Sequence, residues 1–138
     1  MVNMNVNLGG LCMKNPVTTA SGTFAAGREY SDFVNVADLG AVTTKGVSLN
    51  GWEGNDSPRI AETPSGMLNS IGLQNPGVAH LKEVDLPWLA DAGARIIVNV
   101  SGHSIEEYRE VIYQPEDSAA AAYEVNVSCP NVDAGGMT

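Results

Sequence analysis

The chain has 138 residues, and sixteen acidic against seven basic side chains give it a formal net charge of −9 at pH 7. A surface of this sign repels nucleic acids and anionic lipids, which argues against either as a partner. With 43% apolar and 17% charged residues, no bilayer-length apolar run and no signal peptide, the sequence predicts a packed, cytoplasmic protein without a membrane segment.

The first predicted elements surround a pair of glycines. Apolar residues at 6–8 and 11–13 flank Gly9 and Gly10, a spacing that predicts a β-hairpin with a two-residue turn. Residues 17–20 then form a short apolar run, which predicts a strand that ends in a polar residue and a glycine.

The next segment predicts a helix, a strand and a long loop. Residues 29–36 have helical periodicity, with Phe33 on the predicted apolar face. Gly40 predicts a left-handed helix cap before a buried strand at 42–45. Residues 48–75 are rich in Gly, Asn, Pro and Ser, and a loop this long in a compact domain is often functional.

The helix–glycine–strand unit occurs a second time. Gly93 again follows a predicted helix, and residues 95–99 form the next apolar strand. A unit of this kind used twice is typical of a parallel α/β protein. Ser104 and Glu107 then match a capping box, which predicts a helix that extends to Tyr113.

The last predicted elements lie beyond Pro115, which interrupts this helix. Residues 118–122 predict a resumption of the helix, and residues 123–128 predict the next strand. About four parallel strands therefore alternate with helices, too few to close a barrel. We expect residues 1–138 to form one partial domain.

Polar residues follow the predicted strands, where the catalytic groups of a (β/α)₈ barrel lie. Lys45 ends the second strand, and either extends to solvent or faces a bound anion. Cys129 follows the last strand and precedes Pro130, so it is a candidate base or nucleophile as well as a candidate structural thiol. The remaining Cys and His residues lack metal-ligand spacing, and no metal site is predicted.

Three motifs together resemble the class 1 dihydroorotate dehydrogenases. They are Thr44-Lys45-Gly46, the loop Asn69-Ser70-Ile71-Gly72-Leu73-Gln74-Asn75, and the run Asn126-Val127-Ser128-Cys129-Pro130-Asn131. The resemblance covers the whole chain but only the first half of a family chain. It implies the N-terminal half of a TIM (β/α)₈ barrel, with about four parallel strands and an N-terminal β-hairpin. Residues 133–136 are more similar to class 1B, the NAD-linked type.

The resemblance implies the flavin-dependent oxidation of dihydroorotate to orotate in pyrimidine biosynthesis, with Cys129 as the base that removes the C5 proton and FMN as the hydride acceptor. It assigns FMN contacts to residues at the strand ends, namely Ser21, Lys45, Gly46, Asn99 and Asn126. It assigns substrate contacts to Lys45, to Asn69, Ser70, Ile71, Gly72 and Leu73, and to Asn126 and Asn131.

Class 1B also implies a partner. The catalytic subunit forms a homodimer and passes electrons to NAD⁺ through an electron-transfer subunit that carries FAD and a [2Fe-2S] cluster. This sequence has two cysteines, so the cluster is expected on the partner. Two alternatives stay open, a dihydropyrimidine dehydrogenase-type flavin barrel and a non-catalytic fragment. Asn131 and the loop 69–75 favour dihydroorotate over dihydropyrimidine.

Overall fold

Short strands and helices alternate along the part of the chain that this computed structural model describes, residues 2–115 and 119–127. The strands are β1 (Val6–Leu8), β2 (Leu11–Met13), β3 (Val42–Thr43), β4 (Ile60–Thr63), β5 (Gly66–Asn69), β6 (Ile96–Val100) and β7 (Ala120–Val125). The helices are α1 (Val78–His80), α2 (Leu86–Asp91) and α3 (Ile105–Tyr113), with a π-helical segment (Leu81–Asp85) between α1 and α2 and 3₁₀ turns at Arg28–Tyr30 and Val36–Asp38.

The central sheet is parallel and has the order β3-β6-β7. The predicted strand at 17–20 is reduced to one parallel bridge, between Thr18 and Ala41. The next residue, Thr19, explains why the pairing is so short. Its hydroxyl, instead of its backbone, donates to the Thr43 carbonyl and accepts from the Thr43 N–H. The side chain thus occupies the position of a ladder bond, and the pairing stops there.

The two faces of β6 pack against different elements. Ile96, Val98 and Val100 are fully buried in the larger core, which also takes apolar side chains from the π-helical segment, α2 and α3. Burial of side chains of this size contributes roughly 1.5–3 kcal/mol each. Ile97 points to the other face and packs against a smaller cluster that includes Leu11 of β2.

The N-terminal hairpin is confirmed. β1 and β2 pair antiparallel, and the turn between them has φ 58° at Gly9 and 101° at Gly10. Positive φ at both central residues is the requirement of the tight turn that matches strand twist. Leu11 and Met13 of β2 join the smaller cluster, so the hairpin packs against the interior face of the parallel sheet.

The helix predicted at 29–36 is wrong. Two separate 3₁₀ turns occupy this region, because Gly27 with φ 91° begins the first and the Asn35 side chain accepts from the Ala37 N–H to begin the second. Phe33, placed on the predicted apolar face, is 84% exposed.

The two predicted glycine caps differ. Gly93 has φ 77° and confirms the prediction. Gly40 does not adopt a left-handed conformation; it is required for close approach instead, since a Cβ atom there would lie 2.0 Å from the carbonyl oxygen of Asn15.

The later elements confirm the capping box and correct one boundary. Ser104 accepts from the Glu107 N–H at the start of α3, which ends at Tyr113 as predicted. Residues 120–122 belong to β7 and not to a helix, because pairing with β6 overrides the helical propensity of alanine. Within the described ranges, no helix has the length and apolar character to cross a membrane.

Candidate functional site

A cavity of about 230 Å³ opens where the parallel strands end. Seven residues line it: Ser21, Gly22, Lys45, Gly46, Leu73, Asn99 and Asn126. All five residues assigned to FMN by resemblance are in this set, although they come from four separate segments of the chain. The parallel strands bring them together because their carboxyl ends lie at one edge of the sheet.

Asn99 is the most deeply buried polar residue of this cavity, with 2% of its surface exposed. Its backbone N–H donates to Thr44 Oγ1 at 3.2 Å, and its Nδ2 donates to the carboxylate of Glu124. Its Oδ1 accepts no hydrogen bond from the described residues. An unsatisfied buried acceptor costs about 1–3 kcal/mol. This oxygen has almost no accessible surface and lies against the Gly46 backbone, inside the wall of the cavity.

Gly46 forms the wall of the cavity against Asn99. A Cβ atom at this position would lie 2.5 Å from Asn99 Oδ1 and 3.1 Å from Ser101 Oγ. Only glycine permits these side chains to approach the backbone so closely.

Lys45 supplies the positive charge of the cavity. Its backbone N–H donates to the Ala25 carbonyl at 3.0 Å, which fixes the position of the residue. The Nζ atom is directed toward Gly22, where a Cβ atom would lie 3.5 Å from it. A half-buried ammonium at the edge of this cavity favours an anionic ligand.

Asn126 is held from both ends of its backbone. Its N–H donates to the Val100 carbonyl at 2.9 Å, and its own carbonyl accepts from the Tyr108 hydroxyl. The side-chain Nδ2 donates to Ser101 Oγ at 3.3 Å. The amide of Asn126 therefore has a fixed place beside the cavity.

Leu73 is the one member of the predicted substrate segment that lines this cavity. Asn69, Ser70, Ile71 and Gly72 precede it in the chain and lie outside the lining. The Leu73 backbone has φ 54°, a left-handed conformation that is strained for a branched side chain. Such strain is concentrated at binding and catalytic sites.

A buried amide stabilises this strained segment. Asn75 is 6% exposed, and its Nδ2 donates to the Leu73 carbonyl at 2.9 Å. Its Oδ1 accepts from the Ser48 N–H, the Ser48 hydroxyl and the Gly77 N–H. Trp52 pairs with Asn75 through the backbone in both directions, so the long loop predicted at 48–75 is closed at its base.

Cys129 and Asn131, the predicted catalytic base and one predicted substrate contact, lie outside the described residues. Their assignment stays a prediction.

A second cavity of about 280 Å³ shares Lys45 with the first in its lining. Asp85 of the π-helical segment lines it, 3.7 Å from His80 Nε2. Desolvation raises the pKa of the Asp85 carboxyl above its usual value, while the charges of His80 and Arg28 oppose the rise. The described residues contain no group of three or more metal-binding side chains.

Two residues of the site have no role assigned from the sequence, although one of them, Asn75, ends the motif at 69–75. Glu124 accepts a hydrogen bond from Asn99, which lies 25 positions away in the chain. Asn75 donates one to the carbonyl of Leu73, two positions away. Glu124 precedes the strand-end asparagine by two residues, so strand alternation predicts that it shares a face with Asn126 but does not predict that it pairs with Asn99.

Comparison with known proteins places these features in a family. The family model described as dihydroorotate dehydrogenase matches residues 3–138. The catalytic subunit of dihydroorotate dehydrogenase B (NAD(+)) from Alkaliphilus metalliredigens is 55% identical over 136 residues, which cover 99% of this chain and 45% of that protein. The subunit of the same name from Lachnoclostridium phytofermentans is 55% identical, over 97% of this chain and 45% of that protein.

The fold has a counterpart among solved structures. The crystal structure of DHODH in complex with ferulenol from Eimeria tenella matches with a TM-score of 0.73 at 21% identity, over 95% of this chain and 38% of that chain. This likeness confirms the predicted fold class, the N-terminal half of a TIM barrel. The chain spans a little under half the length of the curated relatives it matches. Because the family model covers nearly every residue, the chain belongs to the dihydroorotate dehydrogenase family.

Proposed function

We propose that the full-length protein oxidises dihydroorotate to orotate, with FMN bound at the cavity around Lys45, Gly46 and Asn99. The observation that carries this proposal is the cavity at the strand ends, whose lining includes all five residues that the resemblance assigns to FMN. The names of the relatives support the substrate, since they are dihydroorotate dehydrogenases.

The residues present fit a flavin. The lining of the cavity combines the ammonium of Lys45 with the amides of Asn99 and Asn126 and the bare backbone of Gly22 and Gly46, a set that suits an anionic cofactor with a polar ring edge. FMN would supply a hydride acceptor for C6 of the substrate. Lys45, which lines the cavity, would hold its ammonium beside the flavin and the carboxylate of the substrate and so stabilise negative charge there.

Cys129 completes the chemistry in this proposal. Its thiolate removes the proton from C5, and the new C5–C6 double bond forms as the hydride leaves C6. The proton stays on the sulfur until it passes to solvent. Asn69 to Leu73, Asn126 and Asn131 are proposed to bind the ring and carboxylate of the substrate.

The test replaces the proposed base. We expect Cys129→Ala in the full-length protein to lower dihydroorotate turnover at least ~100-fold, because general base catalysis supplies about that factor, while bound FMN is unchanged. Turnover is measured as orotate formation with an artificial electron acceptor, and FMN by its visible absorption. Cys12→Ala is the matched control, since Cys12 lies exposed in the N-terminal hairpin. Wild-type turnover by Cys129→Ala, or faster oxidation of dihydrouracil than of dihydroorotate, contradicts the proposal.

We further propose that a homodimer of this subunit passes electrons to NAD⁺ through a second subunit that carries FAD and a [2Fe-2S] cluster. The relatives are named as NAD(+) catalytic subunits, which supports a division of labour between subunits. NAD⁺ reduction driven by dihydroorotate is expected only after the electron-transfer subunit is added. Equal NAD⁺ reduction by the catalytic subunit alone would refute this.

A further inference from the structure

Asn55 hydrogen-bonds to the segment that leads into Leu73. Its backbone N–H donates to the Ile71 carbonyl at 3.0 Å. Its side-chain Nδ2 donates to Ser70 twice, to the carbonyl oxygen at 3.1 Å and to Oγ at 2.9 Å. One asparagine thus holds two successive residues of a segment that lies 15 positions further along the chain.

Two glycines allow this contact to be close. A Cβ atom at Gly72 would lie 2.6 Å from the backbone nitrogen of Asn55 and 2.7 Å from its Cγ, and a Cβ atom at Gly54 would collide with the Ile71 carbonyl oxygen. Both glycines have positive φ, 78° at Gly54 and 76° at Gly72. Neither position therefore accepts a side chain without strain, and Asn55 packs directly against the residue before Leu73.

Leu73 connects this contact to the cavity at the strand ends, because it is part of the lining. Its left-handed backbone, with φ 54°, is a conformation that persists only where the surrounding structure fixes it. Asn75 holds the Leu73 carbonyl from one side. Asn55 packs against Gly72 on the other side, so the two asparagines enclose the strained residue.

We propose that Asn55 is a positioning residue: through its bonds to Ser70 and Ile71 it holds residues 69–73 in the conformation that binds the substrate. This inference rests on the proposed function, in which that segment binds the ring and carboxylate of dihydroorotate. The apparent affinity of a ligand falls with the fraction of molecules in the binding conformation. Loss of these bonds should therefore weaken the substrate although Asn55 itself lines no part of the cavity.

The test measures the affinity of the full-length, FMN-loaded protein for orotate, from the change that orotate causes in the visible absorption of the flavin. Asn55→Asp keeps the shape of the side chain but replaces its NH₂ donor by an acceptor. We expect it to raise the dissociation constant of orotate about 2- to 12-fold, the effect of one hydrogen bond. The KM for dihydroorotate should rise by the same factor while kcat per bound FMN is unchanged, since saturating substrate restores the segment.

Two further variants separate the lost donor from the added charge. Asn55→Ala removes the donor without adding a charge, and we expect it to raise the orotate constant by a similar factor. Asn50→Asp adds the same charge at an exposed position of the same loop, and this matched control is expected to leave the constant unchanged. All three variants should retain bound FMN.

The outcomes separate the inference from the function on which it rests. Wild-type affinity for orotate in both Asn55 variants overturns the positioning role alone. Loss of bound FMN from both, or a fall in kcat per bound FMN at unchanged KM, also overturns it. So does an effect of Asn55→Asp that Asn50→Asp reproduces and Asn55→Ala lacks. Failure of the wild-type protein to bind orotate and to oxidise dihydroorotate overturns the proposed function and the inference with it.

Discussion

Gly46→Ala is expected to weaken FMN binding by about 5- to 150-fold, from the ~1–3 kcal/mol that forced overpacking costs. The added methyl group would lie 2.5 Å from Asn99 Oδ1, a distance that requires the asparagine to move. Asn99 has little freedom, since its amide is bonded to Glu124 and its backbone to Thr44. The backbone at Gly46 is not left-handed, so the penalty is steric and not conformational.

The measurement is a titration of the full-length apoprotein with FMN, beside Gly66→Ala as the control. Among the described residues, the one atom within 4 Å of a Cβ atom at Gly66 would be Thr63 Oγ1, at 3.9 Å. Gly66 begins β5 and is distant in sequence from the cavity residues at the strand ends. If Gly46→Ala and Gly66→Ala bind FMN equally well, the cavity does not hold the flavin.

Asn75→Ala is expected to lower the free energy of unfolding by about 3 kcal/mol, because it leaves buried polar groups without partners. The Ser48 N–H, the Gly77 N–H and the Leu73 carbonyl each lose a hydrogen bond. Water does not replace these partners readily, since Ser48 is 1% exposed. Leu73 also loses the contact that supports its left-handed backbone.

Urea unfolding of the full-length protein measures this loss. Gln74→Ala is the matched control. Gln74 is an exposed amide next in the chain, and among the described residues its side chain hydrogen-bonds only to Arg59. We expect Gln74→Ala to stay within about 0.5 kcal/mol of the wild type. If Asn75→Ala and Gln74→Ala have the same midpoint of urea unfolding, the Asn75 amide does not stabilise the loop.

Local signals in the sequence predicted much of the fold. The glycine pair at 9–10 predicted the turn between β1 and β2, and Ser104 with Glu107 predicted the start of α3. β3 and β6 were recognisable as apolar runs after a glycine. The cavity residues at the strand ends followed from the rule that parallel strands place their carboxyl ends together.

Features that depend on distant contacts were not predictable in this way. The sequence did not predict the β4–β5 hairpin inside the long loop. All eight residues of its two strands are exposed, so the strands show no alternation of buried and exposed positions. The pairing of Asn99 with Glu124 depends on an irregularity between Ile96 and Ile97, which shifts the register of β7 by one residue. No pattern in either strand encodes such a shift.

Two neighbouring positions on the interior face of β6 have different roles, and this difference bears on how the sequence of the protein can evolve. Ile97 packs in the cluster that the N-terminal hairpin covers, whereas Asn99, two residues further along the same face, lines the cavity. Two residues of a strand span only about 7 Å, yet packing constrains the residue at one of these positions and ligand binding constrains the residue at the other. A substitution at residue 99 can therefore change ligand preference during evolution, while the hairpin contacts at residue 97 preserve the fold.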